Sequence, residues 1–563
     1  MIAWYERDAD RYEAERQFWS RLGFHEERSG GRIAFVGEVE VTAGGRDQEL
    51  ERRSFKIRTV YPEGFPYRPP EVEFLEPRIR RGRHQSPGGA PCLFPAREWH
   101  PFDLPTSEVE NALRRWLKSW MLGTFPREQA IYELPEYFLP TALSILVSPE
   151  GMAAFQGRDR GTFAVVEAKG RDLAVLKSVD REEVAQDLLV GLRLDAEVRQ
   201  QVVTGEWFRL HAEPPFLRDT RLLASVLREH GHNFSVSRKP ADKAFVGLLF
   251  EDSVLGEERL LVLDYGATKK SQIGPKGWPL RAPGVYVVSR DELFRRLEGV
   301  HDVDALSAKN VVVLGVGAIG SSVALDLARE GVGGFLVCDP DRLRPGNVLR
   351  HALDLFSVGQ PKAEAVEVAL GRVNPYVHSQ AEIDNLTSPD VLENYMRREG
   401  PLRPTHLVVS AIGDNTLEGL VSEIAVRSET APVLFVRTLH NGDAARVMLL
   451  RAGQGDACLH CLQLHADDGH SDLIQVPDGE LAPVFDAGCA TASQPGAGLA
   501  SRHAAIIAAK RACTFLLGQE VRENQWLWVD RAIPGAEDVR LHQSEQMYAA
   551  HLPVHGDCPF CRS

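Results

Sequence analysis

Gly315, Gly317 and Gly320 stand in G-x-G-x-x-G register, and Asp339 follows 19 residues after the last of them. Glycines at this spacing let backbone N–H groups approach phosphates at a helix N-terminus, where unpaired donors and the helix dipole favour anions. A carboxylate at the end of the next strand takes ribose hydroxyls. The chemistry is nucleotide binding, and the glycines alone fit a nicotinamide cofactor as well as ATP. Sulfur is the second resource. Cysteines stand at 92, 338, 458, 461, 489, 513, 558 and 561. Cys458-Leu-His-Cys461 and Cys558-Pro-Phe-Cys561 are two C-x-x-C turns, the donor set that a tetrahedral four-thiolate zinc site takes; redox or unliganded thiols are the other reading. His460 is then a spacer. Cys489 lies in Asp486-Ala-Gly-Cys489-Ala-Thr-Ala-Ser-Gln-Pro-Gly-Ala-Gly498. Glycine-flanked loops leave a thiol partly exposed, and an exposed thiolate is a nucleophile.

The elements that must hold these residues are legible around them. Val311 to Leu314 reads as a strand, the glycine turn follows, then an amphipathic helix, then the apolar run Gly334 to Cys338 ending in Asp339. That is strand, turn, helix, strand. Leu407-Val-Val-Ser-Ala-Ile-Gly-Asp414-Asn415 is another apolar strand that ends in a carboxylate. Cys338 falls inside a strand and Cys513 inside a helix from Ala504 to Leu517, so both belong to the core.

The whole chain bounds the answer. Its 563 residues suggest three or four domains at roughly 150 residues each. Hydrophobic residues at 44% and charged residues at 26% describe a globular protein, and a net charge of −14 argues against a general nucleic-acid binder. No run approaches the ~18 apolar residues of a membrane span. The charged, helical start MIAWYERDADRYEAERQFW is not a signal peptide, and a cytoplasmic location is expected.

Ahead of the nucleotide motif, residues 1–50 read as a charged helix followed by alternating segments at Arg32–Val36 and Val39–Val41. Residues 53–60 alternate as a half-buried strand. Then come Tyr61-Pro-Glu-Gly-Phe-Pro-Tyr-Arg-Pro-Pro-Glu-Val-Glu-Phe74, a basic loop from Arg78 to Gly89, Cys92-Leu93 and Trp99-His100-Pro101. A helix starts near Ser107, whose spacing to Glu110 fits a capping box, with Val109, Leu113, Trp116, Leu117 and Trp120 on one face. This line resembles the ubiquitin-conjugating enzymes, and the resemblance implies an α+β domain over residues 1–145 with Cys92 as its catalytic thiol. The family's His-Pro-Asn element is absent. The resemblance then implies that the oxyanion-stabilising asparagine is either missing or replaced by His84, eight residues before Cys92.

Residues 146–300 form an α+β linking or partner-recognition domain in this reading, with strands at Phe163–Glu167, Leu260–Tyr265 and Val285–Val288 and a helix from Arg181 to Leu194. His230, His232 and Asn233 read as a polar turn.

Beyond Asp339 the sequence supplies Asp341, Asn347, Arg350 and Gly359-Gln-Pro-Lys362. With the glycines and Asp414, this resembles the Rossmann-like adenylating domain of ubiquitin-activating enzymes and their ThiF/MoeB-type bacterial relatives, over residues 301–563. His351 and Gly413 depart from the family's glutamine and its Thr or Ser. The resemblance implies that ATP is bound by Gly315, Gly317, Gly320, Asp339, Asp341, Asn347, Arg350 and Lys362. Arg350 and Lys362 offset charge on the leaving pyrophosphate and on the transition state, and Asp414 holds Mg2+. It further implies Zn2+ on Cys458, Cys461, Cys558 and Cys561, and Cys489 as acyl acceptor. Arg295 or Arg296 is a candidate for an arginine lent to a partner subunit.

A conjugating-like head ahead of an activating-like head resembles the fusion proteins of antiphage CBASS operons. The resemblance implies a homodimer that adenylates the C-terminal glycine of a cGAS/DncV-like nucleotidyltransferase, captures it on Cys489, and passes it through Cys92 to an amine. The alternatives are activation of a small ubiquitin-like or sulfur-carrier protein, and a non-enzymatic scaffold with degenerate heads. A nicotinamide dehydrogenase does not explain Arg350, Lys362 and Asp414.

Overall fold

The alternation in the first sixty residues builds an antiparallel sheet in the computed structural model: β1 (His25–Ser29), β2 (Arg32–Ala43), β3 (Glu51–Tyr61) and β4 (Glu71–Glu76), in that order. The structure describes residues 3–29, 32–44, 50–77, 79, 84–86, 89–94, 99, 107–125, 139–168, 172–184, 188, 200–215, 217–235, 244–252, 256–266, 277–384, 386–482 and 496–561. The two segments expected at 32–36 and 39–41 are one strand. Its buried residues Ile33, Phe35, Val39 and Val41 join Phe55, Ile57 and Tyr61 of β3 in one core. Trp19 of the helix Ala9–Arg21 and Val109, Leu113, Trp116 and Leu117 of the helix Glu108–Leu122 belong to the same core. The expected capping box does not form. Ser107 already has helical φ/ψ and its side chain caps nothing, while Glu110 binds Arg114 four residues on.

A second sheet contains β5 (Leu139–Val147), β6 (Arg160–Ala168), β7 (Leu173–Val179), β8 (Glu182–Glu183), β9 (Gln200–Arg209), β10 (Ala244–Glu251), β11 (Glu258–Tyr265) and β12 (Arg281–Val287). The order is β5-β12-β11-β10-β9-β6-β7-β8, and β5 also pairs with β7, which closes the sheet into a barrel. Phe163, Trp207, Phe245 and Val262 share one buried cluster of it. The helix Thr220–Glu229 packs Leu223 and Leu227 into a second, with Leu248 and Leu263. The helix expected from Arg181 is corrected at its start: Glu182 and Glu183 pair with β7 as β8. Most of the remainder of that stretch lies outside the described residues. These two sheets make up one unit, residues 1–185 with 199–287.

The other unit, residues 186–198 with 288–563, is built on an eight-stranded sheet. Its strands are β13 (Asn310–Leu314), β14 (Gly334–Cys338), β15 (His378–Glu382), β16 (Leu407–Ser410), β17 (Val433–Leu439), β18 (Ala444–Leu450), β19 (Gln525–Val529) and β20 (Gln546–Ala550). The order is β15-β14-β13-β16-β17-β18-β19-β20, parallel through β17 and antiparallel beyond. Helices Gly320–Arg329, Lys362–Val373 and Gly498–Leu516 contribute to one buried cluster, and Pro389–Met396, Asn415–Arg427 and Leu459–Asp467 to the other. Covered on both faces, β13 reads as an unbroken apolar run: Val311 to Leu314 are 0% exposed. The strand order reverses at β13, between β14 and β16. In open α/β sheets ligands bind at the carboxyl ends of strands at such a point.

Candidate functional site

The three glycines do three different things at the end of β13. Gly315 has φ +80°, and its N–H donates to the Cys338 carbonyl at 2.8 Å, tying the turn to the end of β14. Gly320 opens the helix; a Cβ there would collide with the Gly315 carbonyl oxygen. Gly317 faces open space, with nothing within 4 Å of the position a Cβ would take. Close packing at the ends and space in the middle make a cradle that fits a phosphate chain.

Asp339, buried just past β14, is the hub. Its Oδ2 accepts from Val316 N–H and its Oδ1 from Asp341 N–H, both at 2.9 Å. Burial raises its pKa, opposed by Lys362 and the N–H donors. Lys362 opens the next helix, with Nζ 2.8 Å from Asp341 Oδ2 and 3.9 Å from Asp339 Oδ1. Its own N–H donates to the Asp341 carbonyl at 2.8 Å. Asn347 Oδ1 accepts from Arg344 N–H at 3.0 Å, and the Asn347 carbonyl accepts from the N–H groups of Arg350 and His351, each at 2.9 Å. The structure thus brings Gly315, Gly317, Gly320, Asp339, Asp341 and Lys362 together and fixes the backbone at Arg350 through Asn347.

Asp414 closes the turn beyond β16, where Ala411 N–H donates to the Leu314 carbonyl at 2.9 Å. Asp414 caps the helix Asn415–Arg427: its Oδ1 accepts from Thr416 and Leu417 N–H at 2.9 Å. Its Oδ2 takes no part in that cap, so a helix-capping carboxylate keeps an oxygen for a cation.

Three more side chains act here: His351, which the sequence marked only as a departure from the family's glutamine, and Ser321 and Glu418, which it did not single out. His351 Nε2 donates to the Val316 carbonyl at 2.7 Å, and Nδ1 accepts from Leu353 N–H at 3.2 Å, which fixes one neutral tautomer. Burial pushes its pKa down to about 4. Ser321 Oγ donates to the Gly317 carbonyl at 2.6 Å and accepts from Ala352 N–H at 3.2 Å. The segment after Arg350 therefore straps the glycine turn. Glu418, fully buried behind Asp414, accepts from Gly413 N–H at 3.1 Å and pairs with Arg437. The adjacency of His351 to Arg350 was a signal for the strap; no local pattern pointed to Glu418.

The four paired cysteines meet. Cys458 Sγ lies 3.6 Å from those of Cys461 and Cys558, Cys461 Sγ lies 3.7 Å from that of Cys561, and all four atoms fall within 4.8 Å of one another. Tetrahedral zinc with Zn–S near 2.3 Å wants sulfurs about 3.8 Å apart, so the set fits that ion. The hydrogen bond between Cys458 and Cys461 pulls the Cys461 thiol down and pushes the Cys458 thiol up. His460 is outside the cluster, with its ring against Phe560. Cys338 is buried in β14, and burial pushes the Cys513 thiol up to about 12.

Cys92 is exposed. Its N–H donates to the His84 carbonyl at 2.8 Å, which also accepts from Trp116 Nε1 at 2.8 Å. The buried His84 ring packs tilted against Phe125 with centroids 4.2 Å apart, and the His84 carbonyl holds the backbone at Cys92. Trp99 Nε1 donates to the Pro66 carbonyl at 2.7 Å, tying the proline line to the segment after Cys92. His100 and Pro101 lie outside the described residues, as does Cys489. After Cys489 the described chain resumes at Gly496. A Cβ on Gly498 would stand 2.6 Å from the Leu349 carbonyl oxygen, so the following helix starts against the Arg350 segment. Arg295 is paired with Glu292 at 2.5 Å.

Residues 288–528 match the model of the ThiF family. The C-terminal unit carries a ThiF-family domain. Over 496 residues the chain is 25% identical to the uncharacterized protein y4oA of Sinorhizobium fredii, covering 77% of this chain and 79% of that protein. Over 178 residues it is 27% identical to ubiquitin-like modifier-activating enzyme 5 of Branchiostoma floridae, covering 31% of this chain and 44% of that enzyme. Over 85 residues it is 40% identical to the ATP-dependent ubiquitin transferase-like protein Cap2 of Enterobacter hormaechei, covering 15% of this chain and 14% of that protein. Among solved structures, E. coli MccB is 16% identical, with a TM-score of 0.36, over 49% of this chain and 73% of that one. No helix among the described residues is long and apolar enough to cross a membrane.

Proposed function

We propose that the ThiF-family domain adenylates the C-terminus of a protein with ATP and Mg2+, and that the acyl group then passes through thioesters to an amine. The observation that carries the first step is the cradle itself: an open Gly317 between two close-packed glycines, Asp339 beside it, and Lys362 held at its rim by Asp341. ATP would be held by the glycine turn, Asp339 and Lys362, with Asp414 offering an oxygen to Mg2+. A terminal carboxylate oxygen attacks the α-phosphorus, the bond to the bridging oxygen breaks, and pyrophosphate leaves. Fixed cations at Lys362 and Arg350 stabilise that charge without reorganising. Names of relatives support this reading: an ATP-dependent ubiquitin transferase-like protein and a modifier-activating enzyme each match part of this chain.

The later steps follow from thiol chemistry. The Cys489 thiolate attacks the acyl carbon and AMP leaves; the Cys92 thiolate takes the acyl group by exchange; an amine then displaces Cys92 as thiolate and forms an amide. Exposure of Cys92 supports its part. Zinc on the four cysteines is structural in this scheme, and one equivalent of zinc per chain, released by a mercurial, is the expected assay. By resemblance to CBASS fusions, the activated protein is a cGAS/DncV-like nucleotidyltransferase and the enzyme a homodimer. The deciding experiment is ATP–pyrophosphate exchange that depends on a protein ending in glycine, followed by a reducible thioester lost in Cys489→Ala. No exchange with any glycine-terminated protein, in a chain that binds ATP, removes the reading.

A further inference from the structure

The sheet face that holds the four cysteines also holds a cavity of about 740 Å3, bordered by Asn415 on one side and by Cys458 and Leu459 on another. Two arginines line it, and the register sets them directly opposite: Arg437 on β17 pairs with Arg446 on β18. Facing side chains of antiparallel strands start about 5 Å apart, and like charges there repel. Arg437 is compensated, by Glu418 and by Asn415 Oδ1 at 2.6 Å. Arg446 is not. It donates to the Ile474 carbonyl, its Nε is closed off from solvent with no hydrogen-bond partner, and it has no carboxylate partner among the described residues. Burial, and then Arg437, lowers its pKa to about 10. A half-buried guanidinium without a counter-charge is costly, and removing it leaves packing that an apolar side chain could fill. Two other carboxylates line the cavity. Glu423 is engaged by Arg427 at 2.5 Å, and Asp478 is solvent-exposed.

We propose that this cavity reads an acidic side chain in the tail of the protein whose C-terminus is activated, with Arg446 as the residue that pairs its carboxylate. The proposal rests on the adenylation reading and adds a substrate rule to it. Asn415 lines the cavity, bonds Arg437 and follows Asp414 directly, so the cavity borders the segment offered to Mg2+. Its volume far exceeds one oxyanion, and Phe435, Leu439 and Met448 give it apolar walls, as an extended peptide requires and a free phosphate does not.

The test uses the full chain and fluorescein-labelled octapeptides ending in glycine, with one glutamate scanned through the six residues before it. Each is paired with its glutamine counterpart, and binding is read by anisotropy. At one or two positions glutamate binds about tenfold tighter than glutamine, as a charge-assisted pair predicts. Arg446→Gln abolishes that preference while the melting midpoint stays equal or rises. Arg446→Met serves as the second variant should the first misfold. Arg522→Gln, on an exposed arginine, leaves the preference intact. Equal binding of glutamate and glutamine peptides at every position overturns the proposal, as does a preference that survives both Arg446 variants. Arg446-dependent binding of inorganic pyrophosphate without any peptide preference assigns the cavity to phosphate instead and also overturns it. Absence of ATP binding with the peptide preference intact removes adenylation and leaves tail reading in place.

Discussion

The glycine cradle and the Cys92 loop hold their reactive groups by opposite means. In the cradle, the chemical groups are tied to the glycine turn and to one another: Asp339 to the Val316 and Asp341 N–H groups, the Lys362 ammonium to the Asp341 carboxylate, His351 to the Val316 carbonyl. Its charges satisfy one another before any ligand arrives. In the Cys92 loop, the backbone N–H beside an exposed thiol donates to the His84 carbonyl, which also accepts from Trp116 of a helix more than twenty residues on. The first site is preorganised for charge stabilisation, which rewards rigidity. In the proposed function the second presents a nucleophile to other large molecules, which rewards exposure. Substitutions should therefore hurt the cradle through both folding and chemistry, and the thiol loop through chemistry alone.

The largest effect is expected at Lys362. Lys362→Met removes the cation while keeping most of the side chain, and leaves Asp339 and Asp341 facing each other. Pyrophosphate exchange should fall at least roughly 10^2-fold, or about 3 kcal/mol of transition-state stabilisation. Exchange within threefold of wild type would show that the cradle's charge does not act in catalysis.

The next contrast separates fold from function inside one motif. Gly320→Ala drives a methyl into the Gly315 carbonyl. Overpacking against rigid backbone costs about 3 kcal/mol, so a large fall in the denaturant midpoint is expected. Gly317→Ala meets nothing and should leave the midpoint in place while weakening ATP binding, because the methyl occupies the phosphate's approach. Equal midpoints for the two variants would break the assignment of separate roles.

The glycine turn was legible because its strand, turn and helix pattern is local, although the glycines alone fit a nicotinamide cofactor as well as ATP. The same holds for β13, β14 and β16 and for the two C-x-x-C turns, whose meeting needs only the metal's geometry as warrant. What stayed hidden depends on register and long-range packing. Arg437 and Arg446 are nine residues apart in sequence, and only the hairpin of β17 and β18 sets them face to face. The barrel of β5 to β12 closes through β5 and β7, whose pairing no local alternation encodes. The Ser107 capping box failed because Arg114, one turn further along, competes for Glu110.

His351 tests the cradle through pH. Its folded pKa lies near 4, below the ordinary value of 6.5, because burial disfavours the cation. Between those values the unfolded chain binds a proton that the folded chain refuses. Stability from this residue is complete above about pH 6.5 and falls as the pH drops toward 4. At pH 5 the loss should be about 2 kcal/mol. His351→Gln keeps a donor for Val316 and does not titrate, so urea unfolding at pH 7 and pH 5 should show a shallower fall in the variant. Parallel falls would mean that the imidazole is hydrated.

The smallest effect is the sharpest statement of the contrast. Cys92 is exposed, and the hydrogen bond from its backbone N–H to the His84 carbonyl is one that alanine retains. Cys92→Ala should leave the unfolding free energy within about 0.5 kcal/mol of wild type, as surface substitutions do. Pyrophosphate exchange, a property of the other unit, should be unchanged, while amide-linked conjugates disappear. A drop in stability of about 2 kcal/mol would place the thiol in the core and return the N-terminal sheet to a binding role. Unaltered stability with undiminished conjugates would take acyl transfer away from this loop and leave the cradle as the site of chemistry. Intact exchange with lost conjugates is the outcome that the exposed thiol and the charge-paired cradle together require.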